Sequence, residues 1–314
     1  MVKFSFFLPA FKAKYLDKAI SSIVQQIYKD WELLIVNDAS PEDLKSIVDP
    51  YLSDPRVKYF QNEKNRGRTD LVGFWNSYIP VCSGEYLVIA SDDDLYEPDF
   101  LLEMLRLSKD YPECNLLHCR TRFIDEDGFV CQIAPPALRL ETQIDFVYQK
   151  IIWKRKLTLQ EYCFKRTSLI AAGGVVNFPL AWYSDIATAF IMADRGVAYS
   201  NKCLFNFRVS ENNLSKKEMA CGPKTKAMKL YIAWLERTLP KFKSNSPDEV
   251  FMKERVLKLY KKIIYSHYHI YLPYLSTKEL LHEIKYIKDH QIFSFKTRIA
   301  ILMRSVLSLK TLCQ

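Results

Sequence analysis

Residues 86–100 have the sequence YLVIASDDDLYEPDF, which combines an apolar run, an acidic cluster and a proline. It begins with an apolar run, 86–90, which is typical of a buried strand, and three consecutive aspartates follow at 92–94. The pair Glu97-Pro98 then indicates the start of a helix, because a proline at the first helical position lacks only an N–H that would have no partner there. The stretch therefore predicts a strand, an acidic turn and a helix in direct succession.

Three adjacent carboxylates at a strand end repel one another. A hard divalent cation, Mg²⁺ or Mn²⁺, would relieve this repulsion, because such ions take oxygen ligands and usually share them with substrate phosphates. The alternative is a solvated acidic turn that merely precedes a helix. Residues 91–94, here named the acidic turn, are therefore a candidate metal site, and the neighbouring motifs decide between the two interpretations.

Length and composition indicate an ordered, globular protein. The chain has 314 residues, of which 49% are hydrophobic and 26% charged, so it can hold one large α/β domain with an appendage or two domains. Its eight cysteines form no CxxC pair, which favours reduced thiols in a cytosolic protein over a disulfide framework or a zinc site. We expect neither an export signal nor a transmembrane helix, since no apolar run approaches about 20 residues.

The positive charge is concentrated in the C-terminal third. The net charge is +9, and residues 216–314 contain 20 Lys or Arg against 8 Asp or Glu, whereas the rest of the chain is slightly acidic. A basic region of this kind suits an anionic surface, either membrane phospholipid or nucleic acid.

The N-terminal residues alternate between strand and helix patterns. Ser40 is a plausible N-cap for the second helix. The predicted elements are a strand at 3–9, a helix at 15–27, a strand at 31–36, a helix at 41–51 and a strand at 57–61. This order predicts a parallel sheet with right-handed crossovers, in which ligands bind beyond the carboxyl ends of the strands.

Polar or aromatic residues follow four successive predicted strands. They are residues 9–11, Asp38, the basic loop 65–68 that precedes a helix at 74–81, and the acidic turn. Convergence at one edge of the sheet favours a ligand site over an isolated acidic turn. A dinucleotide-binding Rossmann domain is disfavoured, because no GxGxxG motif follows the first strand.

Several segments together resemble one family. Residues 8–40 (LPAFKAKYLDKAISSIVQQIYKDWELLIVNDAS), 54–67 (DPRVKYFQNEKNRG) and 84–101 (GEYLVIASDDDLYEPDFL) are similar to family 2 of the inverting, nucleotide-sugar-dependent glycosyltransferases with the GT-A fold. The resemblance is close over residues 3–110 and looser to about residue 215.

The resemblance implies an α/β fold, with a Rossmann-like, mostly parallel sheet flanked by helices. It implies a catalytic domain at 1–215, made of a nucleotide-sugar-binding half at 1–110 and an acceptor-side half at 111–215. Residues 216–314 then form a basic helical C-terminal region.

The resemblance also assigns donor-binding residues. Pro9, Ala10 and Phe11 match the segment that lines the base and ribose pocket, where Phe11 could stack on a pyrimidine or instead serve as a core aromatic. Asp38 matches the acid that recognises the N3–H of the base. Because cytosine lacks that donor, a carboxylate here favours a UDP-sugar or dTDP-sugar. Alternatively, Asp38 makes only an Asx-turn before Pro41.

In the acidic turn, the resemblance implies that Asp93 coordinates Mn²⁺ or Mg²⁺ and that Asp94 belongs to the same metal site. Asp92 matches an acid that approaches the ribose or the phosphates. Ser91 replaces the first acid of the family motif, which puts the strength of metal binding in question.

Phosphate contacts are implied at three arginines. The family commonly carries an ARN-like triplet before the central strand, but Trp75 stands in the place of its Arg. Arg66 and Arg68 in the preceding loop are the candidates that remain, with a solvated surface arginine as the alternative for each. Arg208 resembles a further diphosphate contact, beside residues 212–215, which resemble a loop that closes over the donor.

Asp185 matches the catalytic base of the family, which removes the proton of the acceptor hydroxyl. Its alternative interpretation is an N-cap acid of the following helix. Ser184 replaces a common Glu, and Trp182 and Tyr183 could stack on an acceptor-side sugar. His118 is expected to pack beside a strand rather than to bind a metal.

The C-terminal region has helical spacing at 224–239, 249–272 and 277–290. Residues 293–312 are amphipathic and basic, which suits a membrane interface, although they could instead dock on the catalytic domain or on a second copy of the chain. Nucleic acid is the weaker partner, since no recognised binding motif accompanies the charge.

These observations and the resemblance together predict an inverting, divalent-metal-dependent sugar transferase that uses a UDP-sugar by preference. The resemblance implies that it extends a surface polysaccharide or a lipid-linked oligosaccharide at the cytoplasmic face of a membrane. A non-catalytic, carbohydrate-binding or assembly member of the same fold is the alternative, favoured by Ser91, Trp75 and Ser184. Nucleotidyl transfer on a similar fold is a third hypothesis.

Overall fold

A computed structural model gives the structure of residues 2–152, 155–156, 158–210, 221–271 and 274–289, together with residues 299 and 303. The chain divides into two units. The N-terminal unit contains Met1–Asn177 and Tyr183–Ser210, and the C-terminal unit contains Phe178–Trp182 and Glu211–Gln314.

The described residues of the N-terminal unit form a ten-stranded sheet. Its strand order is β3-β2-β1-β4-β9-β6-β10-β5, with β7 paired to β6 and β8 paired to β10. The strands are β1 (Phe4–Ala10), β2 (Trp31–Asn37), β3 (Val57–Gln61), β4 (Tyr86–Ile89), β5 (Leu95–Tyr96), β6 (Leu116–Ile124), β7 (Val130–Ile133), β8 (Leu140–Glu141), β9 (Tyr162–Lys165) and β10 (Val197–Arg208). Strands β1 to β4 are parallel to one another, which confirms the predicted α/β class.

Helices flank this sheet. They are α1 (Leu16–Val24), α2 (Leu44–Val48), α3 (Gly67–Tyr78), α4 (Phe100–Asp110), α5 (Gln143–Ile151), α6 (Arg166–Ala171) and α7 (Ser184–Met192). Strands β1, β2 and β4 are almost wholly buried because helices cover the sheet, as expected for parallel strands with near-continuous apolar sequences. The apolar face of α1, predicted from its 3.6-residue spacing, contributes Leu16, Ala19, Ile20 and Ile23 to the core.

Strand direction brings the candidate residues to one edge of the sheet. Strand β9 is antiparallel to both β4 and β6, and β10 is parallel to β6, so β6 and β10 run in the same direction as β4. The carboxyl ends of β1, β2, β4, β6 and β10 therefore meet at the same edge, where ligands bind in open α/β sheets. Phe11, Asp38, the acidic turn and Arg208 lie at these ends.

Three local predictions differ from the structure. Helix α4 begins at Phe100, not at Glu97-Pro98, because the chain first forms β5, which pairs with β10. Helix α3 begins at Gly67, so Arg68 lies in its first turn instead of in a loop. The side chain that caps α2 is Asp43, not Ser40, since its carboxylate accepts the Ser46 N–H.

The C-terminal unit contains α8 (Cys221–Thr238), α9 (Pro247–Tyr271) and α10 (Thr277–Asp289), which confirms helix at the three predicted ranges as far as the structure describes them. An ion pair of 2.5 Å between Lys229 and Glu283 connects α8 to α10. Of the amphipathic segment 293–312, only residues 299 and 303 are described, so the membrane-interface prediction lies outside the described residues. Within the described chain, every helix is too short or too polar to cross a bilayer.

Candidate active site

The acidic turn joins two neighbouring strand ends through Asp92. One carboxylate oxygen of Asp92, Oδ2, accepts hydrogen bonds from the backbone N–H groups of Phe11 and Lys12, each at 2.8 Å. Burial and the adjacent Asp93 carboxylate raise the pKa of Asp92 to about 6, although the two backbone donors oppose this shift. Asp92 therefore connects the carboxyl end of β4 to that of β1.

Asp94 lies in the interior with both carboxylate oxygens bonded. Oδ1 accepts the backbone N–H of Arg208 at 2.7 Å, and Oδ2 accepts the Ser91 hydroxyl at 2.5 Å. Burial and the neighbouring Asp93 charge raise the pKa of Asp94 well above its usual range. Ser91, which replaces the first acid of the family motif, is thus the hydrogen-bond donor for a buried carboxylate.

Arg208 holds the acidic turn from the end of β10. Its side chain is buried, and Nε donates to the carbonyl oxygen of Asp93 at 2.9 Å. Nη1 donates to the carbonyl oxygens of Asp125 and Glu126 at 2.9 and 3.0 Å, in the turn between β6 and β7. The guanidinium also lies 4.2 Å from the ring centroid of Tyr15. These contacts favour a role for Arg208 in positioning the acidic turn, whereas the sequence suggests a direct diphosphate contact.

Asp93 lies between these two anchored acids and is half-buried. Carboxylate oxygens are the ligands that Mn²⁺ and Mg²⁺ prefer. The described residues contain no group of three or more His, Cys, Asp or Glu side chains arranged to hold a metal ion. An ion at Asp93 would therefore need further ligands from water or from substrate phosphates, which is common for Mg²⁺.

Asp38 is anchored to the start of α3. Its Oδ1 accepts from Asn62 Nδ2 at 2.7 Å and from the Arg66 N–H at 2.9 Å, and its Oδ2 accepts from the Gly67 N–H at 2.7 Å. A side chain at position 67 would place a Cβ 3.0 Å from Oδ2, so glycine permits this close approach. The sequence offered an Asx-turn as the alternative role of Asp38, but the side chain that bonds to the backbone of this turn is Asn37, whose Oδ1 accepts the Ser40 N–H at 2.8 Å.

The predicted base pocket lies beside Asp38. Ala10 is buried in β1 and accepts the Asp38 N–H through its carbonyl oxygen at 3.0 Å, while Pro9 is half-buried. Phe11 is 39% exposed, so it is not a core aromatic and its ring is accessible. The Ser40 hydroxyl donates to the Phe11 carbonyl oxygen at 2.6 Å, which links the ends of β1 and β2.

The two candidate phosphate-binding arginines are exposed at the start of α3. Arg66 Nη1 donates to the Ser77 hydroxyl at 2.9 Å, and its guanidinium lies 5.6 Å from the Phe74 ring centroid. Arg68 lies one residue beyond the Gly67 N–H that binds Asp38. Both side chains thus project from a helix whose start is bonded to the site.

Asp185 is the second residue of α7, and the N-cap of this helix is Tyr183, so the N-cap alternative for Asp185 is not observed. Burial raises the pKa of Asp185, and the nearby Lys150 ammonium opposes this shift. Among the described residues, no hydrogen bond or ion pair joins Asp185 to Phe11, Asp38 or the acidic turn. Trp182 belongs to the C-terminal unit, and Tyr183 begins the second part of the N-terminal unit.

The sequence did not predict two long-range side-chain contacts. The first is made by Asn76, which donates through Nδ2 to the Val175 carbonyl oxygen at 2.9 Å and whose Oδ1 accepts the Val175 N–H at 2.8 Å. His118 packs in β6 as predicted, but its Nδ1 lies 3.2 Å from a carboxylate oxygen of buried Glu161. Neither partner is close in sequence, so no local signal could have identified these pairs.

Comparisons with known proteins decide the family. The model of Glycosyl transferase family 2 matches residues 5–163, about half of the 314 residues. The chain belongs to glycosyl transferase family 2. Phe11, Asp38 and the acidic turn lie within the matched residues, whereas Asp185 and Arg208 lie beyond them.

Among curated relatives of this family 2 member is the GalNAc(5)-diNAcBac-PP-undecaprenol beta-1,3-glucosyltransferase of Campylobacter jejuni. It is 36% identical over 96 residues, which are 30% of this chain and 30% of the relative. The chain spans about half or less of the length of the first curated relatives it matches, with 28%, 43% and 52% of each covered.

Two solved structures share the fold of this family 2 chain. The structure of S. aureus TarS 1-349 in complex with UDP-GlcNAc has a TM-score of 0.69 and 16% identity, and the match covers 91% of this chain and 80% of that one. The mannosyltransferase PcManGT from Pyrobaculum calidifontis, in complex with GDP-Man and Mn²⁺, has a TM-score of 0.56 and 16% identity, with 98% and 86% covered. At this identity the likeness shows the GT-A fold alone.

Proposed function

We propose that this family 2 glycosyltransferase transfers a sugar, with inversion, from a UDP-sugar or dTDP-sugar to a hydroxyl of a glycan or lipid-linked oligosaccharide. One observation carries the proposal. Phe11, Asp38 and Asp92 lie at adjacent strand ends and are connected by hydrogen bonds through Ala10, Phe11 and Ser40. An accessible ring, a carboxylate and an acidic turn are the groups that a pyrimidine nucleoside diphosphate requires.

The carboxylate of Asp38 supports recognition of a base with an N3–H. Its oxygens already accept three N–H groups, which hold the carboxylate in place. Each carboxylate oxygen has two lone pairs, so Oδ2, which accepts the Gly67 N–H, can accept a further N–H. Uracil and thymine carry that donor and cytosine does not.

A divalent cation, Mn²⁺ or Mg²⁺, fits the acidic turn. Burial and the Asp93 charge raise the pKa values of Asp92 and Asp94, so negative charge is costly there and a cation would offset this cost. We assign the ligand role to Asp93, which is half-buried, and to Asp94, which is buried and binds Ser91 and Arg208, the role of holding the turn. When bound, the ion would neutralise charge on the departing diphosphate. The Mn²⁺ in the Pyrobaculum mannosyltransferase structure supports this choice of ion.

Asp185 is proposed as the general base. Its carboxylate would take the proton of the acceptor hydroxyl while that oxygen forms a bond to the anomeric carbon and the bond to the diphosphate breaks. Attack opposite the leaving group inverts the configuration. A raised pKa suits this role, because a stronger base accepts the proton more readily. Trp182 and Tyr183 precede it and are proposed to contact the acceptor side.

Two observations support the choice of acceptor and the place of action. The name of the Campylobacter relative contains an undecaprenol-linked acceptor, which supports a lipid-linked oligosaccharide here. The basic region 216–314 supports peripheral attachment to the anionic cytoplasmic face of a membrane. Synthesis of a surface polysaccharide is the process that combines these features.

A screen of nucleotide sugars for hydrolysis and transfer tests the proposal. We expect turnover of a UDP-sugar or dTDP-sugar with Mn²⁺, and a loss of about 100-fold or more for Asp93→Ala and Asp185→Asn, since positioned acids and bases contribute about 10²–10⁴-fold. Asp49→Ala is the matched control, because this exposed aspartate precedes β3 at the opposite edge of the sheet.

Three outcomes would overturn the proposal. Full activity of Asp93→Ala would reject the metal role. UDP binding without turnover of any nucleotide sugar would favour a non-catalytic carbohydrate-binding protein. Release of pyrophosphate from UTP would favour nucleotidyl transfer.

A further inference from the structure

The carboxyl end of β3 contributes a side chain to the candidate site. Asn62 directly follows this strand, and its backbone N–H donates to the Asn37 carbonyl oxygen at 2.8 Å, which continues the pairing with β2. The Asn62 side chain is half-buried, and its Nδ2 donates to Asp38 Oδ1 at 2.7 Å. Asn62 therefore lies beside the carboxylate that is proposed to recognise the base, although the family resemblance assigns it no role.

Four residues form a row along this edge of the sheet, because β1 to β4 are parallel and each residue lies just beyond a strand end. The strand order β3-β2-β1-β4 gives their succession, which is Asn62, Asp38, Phe11 and Asp92. Neighbouring strands lie about 4.8 Å apart, so the row spans roughly 14 Å. A nucleoside diphosphate along this row, with its phosphates at the acidic turn, has the far edge of its base at Asp38 and Asn62.

The two partners of the Asn62 amide determine its orientation. The Tyr78 hydroxyl donates to Asn62 Oδ1 at 3.1 Å, while the Asp38 carboxylate can only accept and therefore requires the amide nitrogen. The Tyr78 ring is fixed in turn, since it stacks on buried Phe7 with centroids 5.4 Å apart and an interplanar angle of 8°. The amide nitrogen of Asn62 thus faces Asp38, and its oxygen faces Tyr78.

The amide nitrogen of Asn62 carries a second N–H. Within the described part of the chain, Asp38 is the one acceptor that this nitrogen contacts, and it uses a single N–H. The Asp38 carboxylate and the second N–H of Asn62 therefore present an acceptor and a donor side by side, with 2.7 Å between Asp38 Oδ1 and Asn62 Nδ2.

Uracil and thymine present the complementary pair, because their N3–H is next to the carbonyl oxygen O4. O4 lies farther from the ribose than the N3–H does, and Asn62 lies farther from the acidic turn than Asp38 does, so O4 is the atom that faces Asn62. Cytosine carries an acceptor at N3 and an amino donor at position 4, which oppose the carboxylate and the amide. Unpaired polar groups of this kind make a site reject a ligand.

We propose that Asn62 donates its second amide N–H to O4 of the base and thereby selects uracil or thymine over cytosine together with Asp38. Asn62 is then a specificity-determining residue that contacts the donor nucleotide, and Tyr78 is a positioning residue that acts through it. The inference rests on the proposed recognition of the N3–H by Asp38.

Calorimetry with UDP analogues, in the presence of Mn²⁺, tests this contact at a single atom. 4-Thio-UDP carries sulfur, a weak hydrogen-bond acceptor, in place of O4. We expect sulfur at this position to cost the wild-type protein about three- to tenfold more affinity than it costs Asn62→Ala, which is the usual worth of one hydrogen bond. The comparison cancels any effect of sulfur on the N3–H, because Asp38 is present in both proteins. The preference for UDP over CDP should fall by a similar factor in Asn62→Ala.

An analogue and two variants serve as controls. 2-Thio-UDP, with sulfur in place of O2, should bind with the same relative affinity in wild type and Asn62→Ala. Gln61→Ala should behave as wild type with every analogue, because Gln61 is exposed and its side chain points to the opposite face of β3. Where Asn62→Ala does not fold, Asn62→Leu is measured instead, since leucine has a similar volume and no donor.

Failure of this inference differs from failure of the proposed function. If wild type and Asn62→Ala bind UDP and lose equal affinity with 4-thio-UDP, Asn62 only supports Asp38 and the inference is rejected. A difference that arises with 2-thio-UDP instead rejects O4 as the contact. If the wild-type protein binds no UDP, or binds N3-methyl-UDP as tightly as UDP, the proposed base recognition fails, and the inference fails with it.

Discussion

The three consecutive aspartates of the acidic turn have three different environments. Asp92 accepts backbone N–H groups just after the end of β1. Asp94 is buried and binds Ser91 and Arg208, whereas Asp93 is half-buried. Adjacent carboxylates that share a site cannot all be ionised without cost, and the structure places the donors on the two outer members. The middle member is therefore the one left to meet a cation.

A stability comparison tests this division of roles. Asp94→Ala leaves the Arg208 N–H and the Ser91 hydroxyl without their acceptor, so we expect the free energy of unfolding to fall by about 1–3 kcal/mol. Asp93→Ala removes a repulsive charge and should change it by less than about 0.5 kcal/mol. Urea denaturation in EDTA measures both values. Equal losses for the two variants would contradict the assignment.

A pH profile tests the proposed base. Asp185 must be ionised to accept a proton, so the transfer rate should rise with pH through its pKa, which burial places above the usual range of an aspartate. The Lys150 ammonium favours the ionised form, so Lys150→Met should raise the pKa of Asp185 further and move the acidic limb to higher pH. Lys45→Met, an exposed lysine on α2, is the control. An unchanged limb, or one moved to lower pH, would contradict the assignment.

At the scale of strands and helices, the sequence predicted the elements whose signals are local. Strands β1, β2 and β4 are apolar runs, and α1 carries its apolar residues at helical spacing, so their patterns indicate them directly. The predicted start of α4 was wrong because Leu95 and Tyr96 instead form β5, which pairs with the distant strand β10. The helix-start signal at Glu97-Pro98 is local, so it gives no information about β10, a strand partner more than a hundred residues away.

A glycine before β4 sets how closely this strand packs against β1. A Cβ at Gly84 would lie 2.5 Å from the Ser5 backbone nitrogen and 2.7 Å from the Phe4 carbonyl carbon, and backbone atoms cannot easily move aside. We expect Gly84→Ala to lower the free energy of unfolding by about 3 kcal/mol, at the upper end for overpacking. Gly128→Ala is the comparison, since its Cβ would meet no atom within 4 Å and only backbone strain of about 1 kcal/mol applies.

Thermal or chemical denaturation of both glycine variants measures the difference. A Gly84→Ala protein as stable as Gly128→Ala would show that β1 and β4 can separate without cost. That result would contradict the close approach on which the position of the acidic turn depends.

For the whole chain, the order of motifs predicted the fold and the family, but it did not predict which unit each segment belongs to. The sequence places residues 1–215 in one domain, yet the segment Phe178–Trp182 packs with the C-terminal helices. Its anchors, among them Tyr231 and Lys224, follow it by more than forty residues. Such contacts carry no local pattern, and the domain boundary at 215 stays a prediction.

The candidate site shows the same limit. The family resemblance identified Phe11, Asp38 and the acidic turn, because these residues occupy motifs with regular spacing. It did not reveal that Arg208 donates to the Asp93 carbonyl oxygen, or that Ser91 donates to Asp94, since both depend on contacts formed only in the folded chain.

In the proposed function, a divalent cation at Asp93 holds a pyrimidine nucleoside diphosphate at the carboxyl edge of the sheet. Isothermal titration calorimetry of UDP, with Mn²⁺ and with EDTA, measures this role of the cation. We predict that Mn²⁺ strengthens UDP binding to the wild-type protein by about tenfold or more, equivalent to about 1.4 kcal/mol, and that this gain is lost in Asp93→Ala but kept in Asp49→Ala. UDP binding of equal strength with Mn²⁺, with EDTA and in Asp93→Ala would contradict it.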